Sequence, residues 1–148
     1  MAAATPADAQ VIMQLYELRR ESEMRKARNW FGTFDPQSVD ELISTVTASG
    51  TDANRYFRMV TSYWDMAVAL VLNGAVNEQL FLDTQGELFF IFAKLAPHLE
   101  AYREKLQNPD AMKRIEAFIN KSDENKRRLR ALTERTARMR ALAAAQKK

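Results

Sequence analysis

The run from Tyr56 to Gly74, YFRMVTSYWDMAVALVLNG, constrains this chain more than any other stretch. Tyr56, Val60, Tyr63, Ala67 and Leu70 recur at intervals of three and four residues, and so do Phe57, Trp64, Val68 and Val71. Two interleaved stripes make a helix that is apolar over more than half its circumference, which suits a central, mostly buried position. Arg58, Ser62 and Asp65 leave a narrow polar strip, and Asn73-Gly74 is a stop signal because both residues tolerate the left-handed turn that closes a helix. The continuous apolar part, Met66 to Leu72, is seven residues long, far short of the about 20 that a membrane span needs. Trp64, Tyr56 and Tyr63 are therefore expected in a core and not around a ligand pocket.

The rest of the sequence follows the same helical pattern. Four glycines and four prolines in 148 residues leave little room for strands and tight turns. Ala, Leu, Glu, Arg, Lys, Gln and Met fill the intervals, all good helix formers. Thr5-Pro6-Ala7-Asp8 is a capping box with proline in the first turn, and a helix is expected from there to about Phe31. Its early apolar face is Val11, Ile12, Leu15 and Leu18, and its later face, Met24, Ala27, Trp30 and Phe31, is rotated from the first. The charges between the two pair at helical spacing as a solvated face. Asp35-Pro36 should start a short helix through Val46, with Val39, Leu42, Ile43 and Val46 buried, and Thr51 should cap the central helix. Asn77 is the expected cap of a helix from Glu78 that carries Gly86 inside it, where close approach of a neighbouring helix is the expected reason. Pro97 kinks or restarts that helix, which runs on to Asn108.

From Asn108-Pro109 a last helix is expected to run unbroken to the end. Ala111, Ile115, Phe118, Ser122, Asn125, Leu129, Leu132, Thr136, Met139 and Ala143 fall at alternating steps of four and three, a heptad seam. Ser122 would make a good cap and so a break, but the seam passes through it. Such a seam is expected either to pair between chains or to lie antiparallel against the first helix of the same chain. Charge divides here too. Residues 121–148 hold ten Lys or Arg and three Asp or Glu, a net of +7, while residues 1–120 hold 12 and 16, a net of −4. The expected fold class is thus all-α: a helical bundle of about five to six helices, with a body over residues 1–120 and a basic extension over 121–148 continuous with the helix starting near 109.

Candidate chemistry is sparse. With no cysteine there is no disulfide, thiolate nucleophile or cysteine metal ligand. The single histidine, His98, cannot supply the paired Glu-x-x-His motifs of a di-iron bundle or the several ligands of a zinc site, and no nucleophile motif accompanies it. No glycine-rich phosphate loop follows a strand. Asp83 and Glu87 share a helix face, but two carboxylates alone are more often solvated than catalytic. The seven methionines are spread along the chain as gap-fillers. The expectation is no catalytic, cofactor or metal site. The N-terminus also lacks the basic and apolar regions of a secretory signal, so the chain is expected to be soluble and cytoplasmic.

Tyr63-Trp64-Asp65-Met66-Ala67-Val68-Ala69, Leu70-Val71, Gly74-Ala75-Val76-Asn77, Gly86, Leu95, Pro97 and Arg103 form a pattern that resembles a family of uncharacterised bacterial helical proteins known as a domain of unknown function. The likeness covers roughly residues 10–120 and rests on helix-packing positions. It implies an all-helical fold and supplies no active site. Some members of that family carry N-terminal membrane helices; this chain has no such segment, so membrane attachment is not expected to carry over.

Two functions follow as expectations. The first is a non-enzymatic structural or interaction module that associates with itself, or with another helical protein, through Ile115, Phe118, Leu129, Leu132 and Met139. The alternative is non-specific binding of nucleic acid or an acidic surface, with Arg127, Arg128, Arg130, Arg135 and Arg138, beside Lys126 and Arg140, on phosphates. Those cations flank the seam on several sides and no aromatic residue interleaves them for base stacking, so self-association is the favoured expectation.

Overall fold

A computed structural model describes residues 2–148. Among them there are helices and no strand: α1 (Pro6–Arg20), α2 (Ser22–Thr33), α3 (Val39–Thr47), α4 (Asp52–Leu72), α5 (Glu78–Thr84), α6 (Glu87–Leu95), a 3₁₀ turn over Ala96–His98, α7 (Leu99–Lys105), α8 (Lys113–Asn120) and α9 (Asp123–Gln146). None of these helices is long and apolar enough to cross a membrane.

α4 is the central element that its double stripe demands. Phe57, Val60, Tyr63, Trp64, Ala67, Val68 and Val71 are buried, and α2, α3 and α8 lie against it. Tyr63 donates to the carbonyl of Leu15 at 2.7 Å, and burial pushes its phenol up to about 12. Thr51 caps the helix start. At its end Gly74 adopts φ 74°, and the amides of Gly74 and Ala75 return to Val71 and Leu70. This is the left-handed closure that releases a chain from a helix without stranding its carbonyls. The Thr5–Asp8 capping box forms as expected, and Asn77 accepts from Leu80 at 2.9 Å to cap α5.

Four expected continuities are corrected. The first helix breaks at Glu21, in extended backbone (φ −56°, ψ 143°), and its carboxylate caps α2 by accepting from the amides of Glu23 and Met24. Those two amides hold the Glu21 carboxyl below its ordinary range. The break lets two rotated apolar faces, Ile12 and Leu15 on α1 and Met24, Ala27 and Phe31 on α2, reach one core. The helix after Asn77 breaks at Gln85-Gly86, so Gly86 lies between α5 and α6 and not inside a helix. A Cβ on Gly86 would meet no atom within 4 Å, so no neighbouring helix requires this glycine. The last helix begins at Lys113 and not at Pro109. Residues 107–112 form a loop with Gln107 and Met112 at φ 50° and 55°, held by Arg103, which donates twice to the carbonyl of Ala111 and pairs with Glu116.

The fourth correction is the one that matters for function. The seam does not ride one helix: Ser122 takes extended backbone (φ −142°, ψ 156°) and caps α9 by accepting from the amide of Asn125. Extension and body are therefore separate helices meeting at a corner. Asn125, wholly buried, donates to the carbonyl of Phe118 at 2.9 Å and fixes that corner. Ser122→Ala removes the cap and should lower stability by about 1 kcal/mol. A denaturant midpoint equal to that of the parent protein would argue instead for a helix running on through residue 122.

Candidate interaction surface

α9 rises about 36 Å along its 24 residues and lies beside α6, its main contact. The two run in the same direction. Arg128, near the start of α9, donates to the carbonyl of Leu82 just before α6. Leu132 lies beside Phe89 and Phe90, and Thr136 and Arg140 lie beside Lys94, Pro97 and His98 at the far end. The seam is thus parallel to α6 of its own chain and not antiparallel to α1.

The five apolar seam residues fall into three environments. Ile115 and Phe118 are inside the core, where Phe118 meets Phe81 edge-on. Leu129 and Leu132 are half-buried against that core. Met139 is 63% exposed, and Leu142, one turn on, 58%.

The cations of the extension divide the same way. Lys121, at the end of α8, pairs with Glu78, and Arg140 on α9 pairs with Asp35, so the corner before α9 and its distal part are both tied to the body. Arg127 and Arg128 share Glu124 and hold its carboxyl well below the carboxylate range. Arg130, Arg135 and Arg138 form no ion pair among the described residues. Arg127, Arg128, Arg135 and Arg138 line one flank of α9, facing α6 across a groove of about 840 Å³; Arg130 does not. The groove's apolar side is Phe89, Phe90, Ala131 and Leu132, and Gly86 opens one end. Two carboxylates also line it, Glu134 and Glu87. Glu87 is engaged by Arg28 across α2, with both guanidinium and carboxylate used in paired contacts down to 2.6 Å.

On the other flank sits a group of residues that sequence reasoning did not single out. The Lys94 ammonium donates to the carbonyls of Phe31, Gly32 and Phe34 at 2.8, 3.0 and 2.8 Å, closing the C-terminal end of α2. His98 Nε2 lies 2.9 Å from the carbonyl of Pro36, and Arg140 holds Asp35. Three basic side chains from α6, the 3₁₀ turn and α9 thus clamp the strip 31–36. Asp83 and Glu87 do not act together: Asp83 accepts from Gln79 while Glu87 faces Arg28. Lys94 was detectable in principle. In LFFIFAKL, Leu88 to Leu95, a single charge sits in a stretch apolar all round, and such a charge has to find internal partners.

No curated protein and no solved structure matches this chain. Residues 4–122, from the α1 capping box to the residue that caps α9, match the family model described as "Domain of unknown function (DUF4760)", and the chain belongs to that family.

Proposed function

We propose that the protein is a non-enzymatic interaction module that presents α9 to an anionic partner. The reading is carried by one observation: the seam of α9 from Leu129 to Thr136 is taken up by its own body, while Arg135 and Arg138, on the flank beside the groove, form no ion pair among the described residues. α9 also lies beyond the segment that matches the family, so a binding surface there is an addition to the common body. The absence of cysteine fits a reducing compartment, and we place the protein in the cytoplasm.

The test is binding of two labelled polyanions, polyglutamate and duplex DNA, in low salt, by fluorescence anisotropy. The parent protein is expected to bind at least one of them, with affinity falling as salt rises. The double variant Arg135→Glu, Arg138→Glu should lose that binding and keep its fold. If the parent protein binds neither polyanion, the reading is wrong.

Self-association is the second reading, favoured by the exposure of Met139 and Leu142 on the distal part of α9. Analytical ultracentrifugation across micromolar concentrations would then show a dimer that Met139→Asp with Leu142→Asp converts to monomer. A monomer throughout removes this reading.

A further inference from the structure

We propose that the groove between α6 and α9 is a docking site for an acidic, amphipathic peptide segment of another protein, laid along α9; this rests on the anion-binding reading above and names its partner class. The groove combines two chemistries that an isolated charged helix lacks. Phe90, Ala131 and Leu132 offer an apolar side, and Arg127, Arg135 and Arg138 rim it. It is an open groove of about 840 Å³, a shape that suits an elongated segment laid along it. The apolar side does not stop with α6. Met139 lies seven residues after Leu132, and Leu142 seven after Arg135, so both continue the groove-facing flank of α9. An elongated ligand would therefore keep apolar contact past the end of α6, and this accounts for two large apolar side chains left in water.

Charge selects the ligand. Arg135 and Arg138 are three residues apart, one helical turn, and Arg127 lies about 12 Å before Arg135 along the axis. Carboxylates one turn apart on a helix alongside would meet the first two, while Arg127 is already held by Glu124. Guanidinium groups bind carboxylates through two parallel hydrogen bonds, as Arg28 does with Glu87 in this protein, Nε donating to Oε1 and Nη2 to Oε2. Apolar anchors at positions i and i+3 or i+4 on the same segment would enter the groove, the usual helix-in-groove arrangement.

A nucleic acid fits less well. Glu134 interrupts the arginine rim, and a phosphate backbone brings charge at every step whereas a peptide can place a neutral residue there. One face of the Phe90 ring is also taken by the Lys94 ammonium, 4.4 Å from its centroid, which leaves less aromatic surface for base stacking.

The experiment measures anisotropy of three labelled probes against the full chain: a glutamate-rich peptide with leucine at i and i+4, an all-glutamate peptide of equal length, and duplex DNA. The amphipathic peptide should bind at least about tenfold tighter than either other probe, a difference of roughly 1.4 kcal/mol. Arg135→Glu with Arg138→Glu should weaken it at least about tenfold. Gly86→Leu is the sharper variant. It changes no charge, its backbone is ordinary at φ −65° and a Cβ there meets nothing within 4 Å, so the fold should hold while the groove fills and binding falls to a similar extent. Arg130→Glu, outside the groove, should leave affinity within about twofold. The proposal is overturned if Gly86→Leu binds like the parent protein while Arg130→Glu does not, which would leave anion binding standing without the groove. DNA binding tighter than the amphipathic peptide, or self-association that Gly86→Leu abolishes, would assign the site to nucleic acid or to a second copy instead. Failure of all three probes to bind would remove the anion-binding reading itself.

Discussion

Trp64→Ala is expected to lower the unfolding free energy by roughly 3–5 kcal/mol, the range for emptying a large aromatic site in a packed interior. Trp64 is fully buried at the middle of α4, edge-on to Tyr63 with ring centroids 5.0 Å apart and beneath the Arg19 guanidinium at 5.7 Å. Alanine there leaves a void between helices whose backbones are fixed by their other contacts, so the walls can collapse only in part. Trp64→Phe separates volume from polarity. The indole N–H has no hydrogen-bond partner among the described residues, and a buried unpaired donor costs roughly 1–3 kcal/mol. Phenylalanine removes that donor while filling most of the space, so its loss should be nearer 1 kcal/mol. Guanidinium chloride midpoints at unchanged m-values give both numbers. A Trp64→Ala protein as stable as the parent would put this side chain outside the core and undo the arrangement around α4.

What was legible in the sequence is what short-range chemistry decides. The double stripe of α4, the Thr5–Asp8 box, the caps at Thr51 and Asn77 and the stop at Asn73-Gly74 each depend on residues within a turn or two, and all formed where the pattern put them. The breaks at Glu21, Gln85-Gly86 and Ser122 were missed for one shared reason. At Gln85-Gly86 and Ser122 helical periodicity continues through the break, at Glu21 the apolar face turns, and in each case tertiary packing chooses between a straight helix and a corner. Ser122 is the clearest case. Its seam neighbours Phe118 and Asn125 stay at heptad spacing, yet both face the body from two different helices. Heptad spacing is a property of one face, and it cannot say whether the partner of that face is another chain or the same one.

The candidate surface was half legible. The arginines were visible as a basic extension without interleaved aromatic residues. Invisible was that Phe90 and Gly86, some forty residues earlier, stand across from them. The groove exists because α9 folds back along α6, a pairing set by Leu129 and Leu132 against the core and by the tethers of Lys121, Arg128 and Arg140. Gly86 then acquires a meaning that a helix-packing argument could not give it: it leaves space at the groove's end.

Lys94→Met should cost about 3 kcal/mol or more at neutral pH, although it replaces a charge by an apolar side chain of similar length. Lys94 is 6% exposed, and its ammonium is the donor for three carbonyls at the end of α2. Methionine removes the buried charge but leaves those carbonyls without a donor, and removing one partner of a buried charge-assisted cluster is strongly destabilising. The pH dependence distinguishes this arrangement from simple packing. Burial pushes the Lys94 ammonium down to about 8 from its ordinary 10.5, with the Asp35 carboxylate opposing and Arg140 reinforcing that shift. Below about 8 the lysine is charged in both the folded and unfolded states, and the cost of burying the charge is fully present. Between about 8 and 10.5 the unfolded chain holds the proton and the folded chain has released it, so stability rises with pH through that window. The neutral amine still donates two hydrogens to the carbonyls. The stability gap between the parent protein and Lys94→Met, measured by urea unfolding, should therefore be large at pH 7 and wider at pH 9.5. A gap that narrows over that range would mean the three carbonyls hold the ammonium more firmly than burial disfavours it. No gap at any pH would mean that the clamp on residues 31–36 does not support the fold.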